Sequence, residues 1–411
     1  MKLIAYLKEL LASKEMRMQV IKDELIEIRD KYGDERRSQI EYSGGDVSIE
    51  DLIADENVVI TISHAGYIKR TNLSEYKTQN RGGVGQKSAG TRDQDFLEHL
   101  FVATNHQYLM FFTQKGKCFW MRVYEIPEGS KTSKGRAIQN LINIESDDKV
   151  KAFICTQDLK DEEYINNHYV IMATKQGQVK KTSLEQYSRP RVNGINAITI
   201  REDDELLEAK LTNGESQVLI AVKSGKLVRF EEEKTRPMGR TASGVRGITL
   251  ANDKDEVIGM VSVNKDDITD TQLLVVTENG YGKRTKLVDD DGEDVYRITN
   301  RGGKGVKTLN ITEKTGALIS INAVTDEDDL MIINKSGLTI RMEVSDLRVM
   351  GRATQGVRLI NIKGNDSIAA VTKVMKEDEI EETELEGTEI NENDVESSQN
   401  ETSTENTETE D

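Results

Sequence analysis

The sequence predicts a mainly β protein in which six repeated blades form a propeller-like array, with a short helical segment before them and an acidic tail after them. Two observations predict the blades. An apolar run followed by a glycine turn recurs six times, and a second glycine recurs downstream of each turn. Self-similar units of about 50 residues that are rich in short strands are typical of blades stacked around an axis.

The first glycine of each repeat follows a short apolar run such as Val58-Val59-Ile60. A β-branched or aromatic run that ends at a residue-plus-glycine turn predicts a β-hairpin, because glycine supplies the positive φ that such turns need. The six glycines are Gly66, Gly116, Gly177, Gly225, Gly280 and Gly337.

The second glycine opens a further strand pattern, for example Val245, Ile248 and Leu250 after Gly244. The six positions are Gly85, Gly135, Gly194, Gly244, Gly305 and Gly356. A blade of about four short strands cannot bury both of its faces alone, so neighbouring blades must stack. The pattern does not distinguish an ordinary propeller from a variant with a different strand order.

The segments on either side of the blades differ in composition. Leucines and isoleucines at helical spacing predict helix to about residue 32, and Ser13 can cap a second helix. This apolar stripe is too short to bury itself, which indicates the end of a larger domain. The predicted organisation is a helical segment over residues 1–40, a linker over 41–56, the blades over 57–375 and the tail over 376–411.

The net charge of −17 is unevenly distributed along the chain. Residues 376–411 contain sixteen Asp or Glu residues and one Lys, a net −15, so the first 375 residues carry only −2. The tail has almost no apolar residues, and burial therefore cannot offset its chain entropy. It is predicted to be a disordered acidic tail, and the overall charge does not argue against a nucleic-acid partner.

No constellation of catalytic or metal-binding residues is visible. The four histidines and the two cysteines, Cys118 and Cys155, have no partner spacing typical of a metal site, and isolated cysteines suit a reduced cytoplasmic protein. The acidic segment at 289–294 lacks the Glu that closes a calcium loop. There is no phosphate-binding loop of the Walker type and no apolar run of membrane-spanning length. An enzyme built on a propeller is therefore the least favoured hypothesis.

Cations recur at one position of the repeat. Four residues after the hairpin glycine stand Arg70, Lys181, Arg229, Arg284 and Arg341, with Trp120 in the second repeat. An Arg-Gly-Gly string follows in two repeats, at 79–85 with Lys69, Arg70 and Lys87 nearby, and at 299–305. Glycine lets a backbone approach a phosphate, and arginine adds a bidentate donor. The combination is suited to phosphate contact, and tight turns of a β protein are the alternative explanation of the Arg-Gly-Gly string.

The segment Gln79-Asn80-Arg81-Gly82-Gly83-Val84-Gly85 resembles the seven-residue box of the DNA gyrase A subunit, Q-R-R-G-G-K-G. Five of seven positions match, and Asn80 and Val84 replace cations of the family. Residues 32–38 (Y-G-D-E-R-R-S) and 66–70 (G-Y-I-K-R) match the same family. The resemblance extends over nearly the whole chain up to Val374.

The resemblance implies a six-bladed β-pinwheel whose basic rim wraps duplex DNA, preceded by the last helices of the breakage-reunion domain. It implies no catalytic residue in this chain and no cofactor, since ATP and Mg would be bound by other parts of the holoenzyme. The implied partners are duplex DNA, the rest of the gyrase A subunit and the gyrase B subunit in an A2B2 assembly, in the cytoplasm at the bacterial nucleoid. The residues predicted to bind DNA are Gln79, Arg81, Gly82, Gly83, Gly85, Lys69, Arg70, Lys87, Lys181, Arg229, Arg284, Arg301, Lys304 and Arg341.

Two alternatives remain open. The first is the related C-terminal domain of the A-type subunit of topoisomerase IV. The second is a propeller scaffold that binds proteins, which would not need basic residues after its hairpin turns. The sequence also leaves open whether the chain is a fragment or a natural split subunit.

Overall fold

The computed structural model describes residues 2–34, 50–63, 65–73, 97–130, 133–335, 339–362 and 366–375. The chain divides into two compact units, Met1–Leu52 and Ile53–Asp411. The predicted box at 79–85 and the predicted tail at 376–411 lie outside the described residues.

The first unit contains two helices, α1 (Lys2–Ala12) and α2 (Lys14–Tyr32). The predicted cap is confirmed, because the Ser13 hydroxyl accepts a hydrogen bond from the Met16 amide at 3.3 Å. Neither helix contains a buried residue. No helix among the described residues is long and apolar enough to cross a membrane.

The second unit is built from short strands. Those of the first three repeats are β1 (Asn57–Ser63), β2 (Tyr67–Asn72), β3 (Leu97–Thr104), β4 (Tyr108–Thr113), β5 (Lys117–Arg122), β6 (Arg136–Ala137), β7 (Val150–Thr156), β8 (Tyr169–Thr174), β9 (Gln178–Ser183), β10 (Ile195–Asn196) and β11 (Leu206–Thr212), with helix α3 (Glu162–Asn167) before β8. Those of the last three are β12 (Gln217–Val222), β13 (Lys226–Glu231), β14 (Val245–Arg246), β15 (Val257–Val263), β16 (Gln272–Thr277), β17 (Tyr281–Lys286), β18 (Val306–Lys307), β19 (Leu318–Val324), β20 (Asp328–Asn334), β21 (Thr339–Glu343), β22 (Val357–Arg358) and β23 (Ile368–Met375).

These strands form six antiparallel sheets, which confirms the six predicted blades. The strand orders are β3-β1-β2-β6, β10-β5-β4-β7, β11-β8-β9-β14, β15-β12-β13-β18, β19-β16-β17-β22 and, over the described residues of the sixth blade, β21-β20-β23. Each blade is centred on a hairpin, such as the β12–β13 pair with Leu219 opposite Arg229.

The hairpin strands are buried on both faces, which explains their continuous apolar runs. In β4, Leu109 and Phe111 pack in the apolar cluster shared with the first blade, whereas Met110 and Phe112 pack in the cluster shared with the third. One strand thus joins two inter-blade cores through its alternating side chains. The same alternation recurs in β12 and β16.

One long strand of each blade lies on the inside of the ring. The strands β7, β11, β15, β19 and β23 contact one another in succession, and β23 contacts β3. The rings of His99 in β3 and Phe153 in β7 lie 5.1 Å apart and complete the circle. The opposite edge of each sheet therefore faces outward.

The outermost strand of a blade comes from the following repeat. The two-residue strands β6, β10, β14, β18 and β22 each pair with the hairpin of the preceding blade, as in Leu227 opposite Val306. The second glycine makes this approach possible. Gly305 has φ +72°, and a Cβ atom there would lie 2.6 Å from the Leu227 carbonyl oxygen. Each of the first five blades is thus completed by a strand of the following repeat.

Candidate nucleic-acid interface

The loops that lead into the short outer strands form the outer rim of the ring. We call residues 127–135, 188–194, 235–244, 297–305 and 348–356 rim loops 2 to 6, after the repeat that supplies them. Each rim loop runs beside the hairpin of the preceding blade, as shown by the parallel bridges from Arg229 to Ile298 and from Arg284 to Val349. The repeat structure therefore brings five equivalent loops to one surface.

Positive charge is concentrated in these loops. Together with their short strands, residues 127–137, 188–196, 235–246, 297–307 and 348–358 contain fifteen Lys or Arg residues and a single carboxylate, Glu128. Glu128 pairs with Arg70 at 3.1 Å. Because the first 375 residues carry a net charge of only −2, this segregation makes the rim strongly positive.

Most of these cations are exposed to solvent. The exposed side chains are Lys134, Arg136, Arg189, Arg191, Arg236, Arg246, Arg297, Lys304, Lys307, Arg348, Arg352 and Arg358, and those of Arg240 and Arg301 are half-buried. Such side chains can reach a phosphate without being desolvated first.

Consecutive rim loops are linked through hydrogen bonds from the segment that follows one loop to the next loop. The Thr199 hydroxyl, just after rim loop 3, donates to the Thr241 carbonyl of rim loop 4 at 2.7 Å. The Thr249 hydroxyl, just after rim loop 4, donates to the Gly302 carbonyl of rim loop 5 at 2.7 Å. The Asn310 amide donates to the Thr354 carbonyl of rim loop 6 at 3.1 Å. The four loops therefore form a continuous track rather than independent fingers.

A shallow cleft of about 350 Å³ lies where rim loops 3 and 4 meet. Lys117, Arg191 and Arg240 line it together with the backbone around Gly194. Lys117 is paired with Glu145 at 2.5 Å, which leaves Arg191 and Arg240 as the cations that can accept a phosphodiester in this groove.

The cations four residues after the hairpin glycine have a different environment. Arg229 is 1% exposed, and its guanidinium donates to Gln217 Oε1, to the Leu287 and Tyr296 carbonyls and to Asp294. Lys181 forms a buried ion pair of 2.9 Å with Glu232. Both side chains are therefore bonded within the protein, and DNA binding by Lys181 and Arg229 stays a prediction.

The other members of this set are also bonded within the protein. Arg284 is buried and donates to the Leu347 and Ser345 carbonyls and to Asp326. Arg70 donates to the Ile126 carbonyl and pairs with Glu128. The neighbouring Lys69 is 2% exposed, and Arg341 pairs with Asp329 at 2.7 Å. DNA binding by these residues stays a prediction.

The copy of the box in rim loop 5 is described in full. Arg301 donates to the Lys234 carbonyl at 2.9 Å and to the Arg246 carbonyl at 3.3 Å, and the Gly302 amide donates to the Gly247 carbonyl at 2.6 Å. The loop therefore uses part of its donor capacity to hold rim loop 4. Lys304 is exposed. The predicted residues Gln79, Arg81, Gly82, Gly83, Gly85 and Lys87 lie outside the described part of the chain.

Comparison with known proteins assigns the ring to a family. The model of the family described as "DNA gyrase C-terminal domain, beta-propeller" matches residues 57–104, 107–157, 168–213, 217–264, 271–325 and 328–375. The chain belongs to this family. Each matched segment is one repeat, and repeats 2 to 6 each supply three strands to their own blade and one short strand to the blade before it.

Relatives and solved structures agree with this assignment. The DNA gyrase A subunit of Staphylococcus aureus strain NCTC 8325 is 44% identical over 379 residues, which is 92% of this chain and 41% of the relative. That of Staphylococcus epidermidis is 44% identical over 381 residues, with the same two shares. This chain thus spans about two fifths of the length of these relatives. The crystal structure of a topoisomerase IV C-terminal domain has 26% identity and a TM-score of 0.67, covering 82% of this chain and all of that one. A gyrase A C-terminal domain has 25% identity and a TM-score of 0.60, covering 78% and all.

In this gyrase-family ring, the cations of the rim precede the second glycine of a repeat, whereas the buried cations follow the first glycine. Arg240, Arg301 and Arg352 stand four residues before it, and a further set, Arg236, Arg297 and Arg348, stands eight residues before it. Reasoning from the sequence found Arg301 and Lys304 but missed the rest. Their constant offset from Gly244, Gly305 and Gly356 is the signal that would have revealed them.

The described residues contain no group of three or more side chains suited to a metal ion. The acidic segment at 289–294 closes on itself, with the Asp289 amide donating to the Glu293 carbonyl at 2.9 Å. Asp294 pairs with the buried Arg229 at 2.9 Å. Part of this segment therefore neutralises a guanidinium beneath the rim.

Proposed function

We propose that this chain binds duplex DNA along the track of rim loops and bends the duplex around the ring. The observation that carries the proposal is the segregation of fifteen cations and one carboxylate into the five rim loops and their short strands, which lie at the outer edge of the ring. Cations that replace condensed counterions supply affinity with little sequence dependence. Such binding does not need side chains that read the bases, because contacts to the DNA phosphate backbone alone can hold a bent duplex.

The ring shape supports bending rather than simple adhesion. Smooth bending of a 20–30 base-pair site costs about 1–6 kcal/mol, so several loops must contribute contacts at once. The hydrogen bonds that join rim loops 3 to 6 keep their cations in a fixed arrangement. Because these cations are already arranged in a curved row, their contacts with DNA can offset the free energy of bending. No additional free energy is lost in ordering the loops on binding.

By its family, we propose that the chain acts as the non-catalytic DNA-wrapping part of a gyrase A subunit. In that role it would work with the rest of the A subunit and with the B subunit in an A2B2 assembly at the bacterial nucleoid, and ATP and Mg would bind elsewhere in the assembly. Wrapping in one hand would present a second DNA segment in a fixed crossing, which is how a wrap sets the sign of supercoiling. The second candidate is a topoisomerase IV C-terminal domain, which the likeness to that solved structure favours.

Two measurements test this proposal. Titration of the chain with a duplex across salt concentrations should give a log–log slope steeper than about −4, because each neutralised phosphate contributes about −0.9. Ligation of nicked circles in the presence of the chain should shift the linking number in one direction. A slope shallower than about −1 would contradict DNA binding, and binding with an unchanged linking number would leave binding without wrapping.

A further inference from the structure

Three lysines at one position of the repeat are buried beneath the rim. Lys69, Lys180 and Lys283 stand three residues after the hairpin glycine in the first, third and fifth blades, and they are 2%, 0% and 0% exposed. The same position in the second and fourth blades holds Phe119 and Val228. A full burial of lysine is rare and calls for a specific set of acceptors.

Each ammonium group contacts the underside of a rim loop. Lys69 Nζ donates to the Ser130 carbonyl of rim loop 2 at 2.9 Å. Lys180 Nζ donates to the Arg240 carbonyl of rim loop 4 at 2.6 Å. Lys283 Nζ donates to the Gly351 carbonyl of rim loop 6 at 2.6 Å. The lysine of one blade thus holds the loop that the next repeat supplies.

Each lysine makes more than one contact where its surroundings are fully described. Lys180 Nζ also donates to the Ala197 carbonyl, and Lys283 Nζ also donates to Thr354 Oγ1 at 3.1 Å. No carboxylate of the described residues lies within 4 Å of either ammonium group. Both ammonium groups therefore donate hydrogen bonds to oxygens of the protein rather than forming ion pairs.

Rim loop 5 is held in another way. Val228 occupies the lysine position beneath it, and the loop is braced from above by its own Arg301, which donates to carbonyls of the neighbouring segment. In rim loops 4 and 6 the corresponding arginines, Arg240 and Arg352, make no such side-chain contact among the described residues. A lysine beneath the loop leaves the arginine above it available.

We infer that Lys69, Lys180 and Lys283 are positioning residues, which anchor alternate rim loops from below so that the cations of those loops face DNA. The effect of the anchors on DNA binding rests on the proposed function, whereas the anchoring of the loops does not. An ammonium group that crosslinks loop carbonyls fixes the loop backbone by charge-assisted hydrogen bonds. It also places a positive charge behind the track.

The lowered pKa values of the buried lysines agree with their anchoring role, which does not depend on the charge of the amine. Burial, followed by the charge of Arg240, lowers the pKa of Lys180 to about 7, and burial lowers the pKa of Lys283 to about 8. The other titratable groups around Lys180 are Tyr187, which also donates to the Ala197 carbonyl, and Cys118, and burial raises the pKa of both. A neutral amine keeps two N–H donors for its two carbonyls, so the anchor of Lys180 persists at high pH.

The test compares Lys180→Met, Lys283→Met and the control Lys254→Met, which removes an exposed cation from a turn. Amide hydrogen exchange should accelerate at least about tenfold in rim loop 4 for Lys180→Met and in rim loop 6 for Lys283→Met, but not in the opposite loop. Two reporter amides are those of Met238, which donates to the Lys181 carbonyl, and Met350, which donates to the Arg284 carbonyl. Duplex affinity at 0.1 M salt should fall about tenfold for each anchor variant and less than about threefold for the control.

The outcomes separate the anchor from the function. Exchange that stays unchanged, or that rises equally in all rim loops, would overturn the anchoring role, even if the wild-type chain binds DNA. Loop-specific exchange in a wild-type chain that does not bind DNA would support the anchor and refute the proposed function. If both variants lose near-ultraviolet circular dichroism at 25 °C, the lysines serve global stability and the inference fails.

Discussion

Two sets of cations stand four residues from a glycine, and their environments differ. Arg229, four residues after a hairpin glycine, is 1% exposed and bonded to three carbonyl or amide oxygens and a carboxylate. Arg352, four residues before a second glycine, is exposed. Arg229 lies on the hairpin strand β13 between two blades, whereas Arg352 lies on rim loop 6 at the outer edge. Residue type and spacing are therefore weaker guides to the exposure of a cation than the place of its element in the sheet.

The buried set explains how the rim is built. The backbone carbonyls of Lys181, Arg229 and Arg284 accept hydrogen bonds from the amides of Met238, Thr299 and Met350, which lie in the first half of rim loops 4, 5 and 6. The side chains of the same residues hold the segments just before those loops. The buried cations thus hold the backbone of each loop against the preceding blade, and the exposed cations lie on the solvent side of the loop.

The largest expected effect comes from the exposed set. Replacing Arg236, Arg297 and Arg348 together with Ala should lower duplex affinity at 0.1 M salt by about 2–3 orders of magnitude, because each lost phosphate contact reduces log K by about 0.9. The log–log slope should become shallower by about 2.7, while the unfolding free energy changes by less than about 0.5 kcal/mol per site. Fluorescence anisotropy across a salt series measures both affinity quantities.

A matched control keeps the same change in net charge. Lys210, Lys254 and Lys265 are exposed cations on or next to the inner strands β11 and β15. Their combined replacement with Ala should leave the salt slope within about 0.5 of the wild-type value. An equal loss of affinity in both triple variants would mean that net charge, rather than the rim, governs binding.

The buried set should affect stability instead. Arg229→Met removes the donors of two buried carbonyls and of Gln217, and should lower the unfolding free energy by about 2–4 kcal/mol. Urea unfolding followed by tryptophan fluorescence or circular dichroism measures the loss. At a temperature where the variant is folded, its duplex affinity should stay within about twofold of wild type. A folded variant with tenfold weaker binding would place Arg229 among the DNA contacts after all.

Buried and exposed cations should also differ in their dependence on pH. Burial lowers the pKa of Lys180 from 10.5 to about 7, so between these values the unfolded chain holds a proton that the folded chain does not. Stability contributed through this group therefore rises with pH across that window, by at most about 1.4 kcal/mol per unit. The difference in unfolding free energy between wild type and Lys180→Met, measured from pH 7 to 9, should grow in favour of wild type. A difference that stays constant over this pH range would contradict the lowered pKa of Lys180.

The smallest expected effect concerns the acidic tail. A tethered segment of charge −15 competes for the same cations as DNA, so truncation after Met375 should tighten duplex binding about three- to tenfold at low salt. The gain should shrink as salt screens the attraction, and it should nearly vanish in the variant that lacks Arg236, Arg297 and Arg348. Equal affinities for the full and truncated chains across the salt series would leave the tail with a role in solubility only.

The sequence by itself determined the number of repeats, the hairpin turns and the double-sided burial of the long strands. These features are local, since a run such as Val218–Val222 and the glycine at 225 lie within one repeat. The same pattern also located Arg301 and Lys304 in an exposed basic loop.

Only the tertiary structure decided which repeat completes each blade and which cations reach solvent. Val306 pairs with Leu227 of the preceding repeat rather than with its own hairpin, and Gly305 permits the contact. Repeats of the same design offer equivalent partners, so a periodic sequence does not distinguish pairing within a repeat from pairing between neighbours. That pairing sends the second glycine and its arginines to the outer edge and leaves the cations of the hairpin between two blades. The surface that we propose binds DNA therefore forms only when a strand of one repeat pairs with the hairpin of the preceding repeat. The sequence of a single repeat does not specify that pairing.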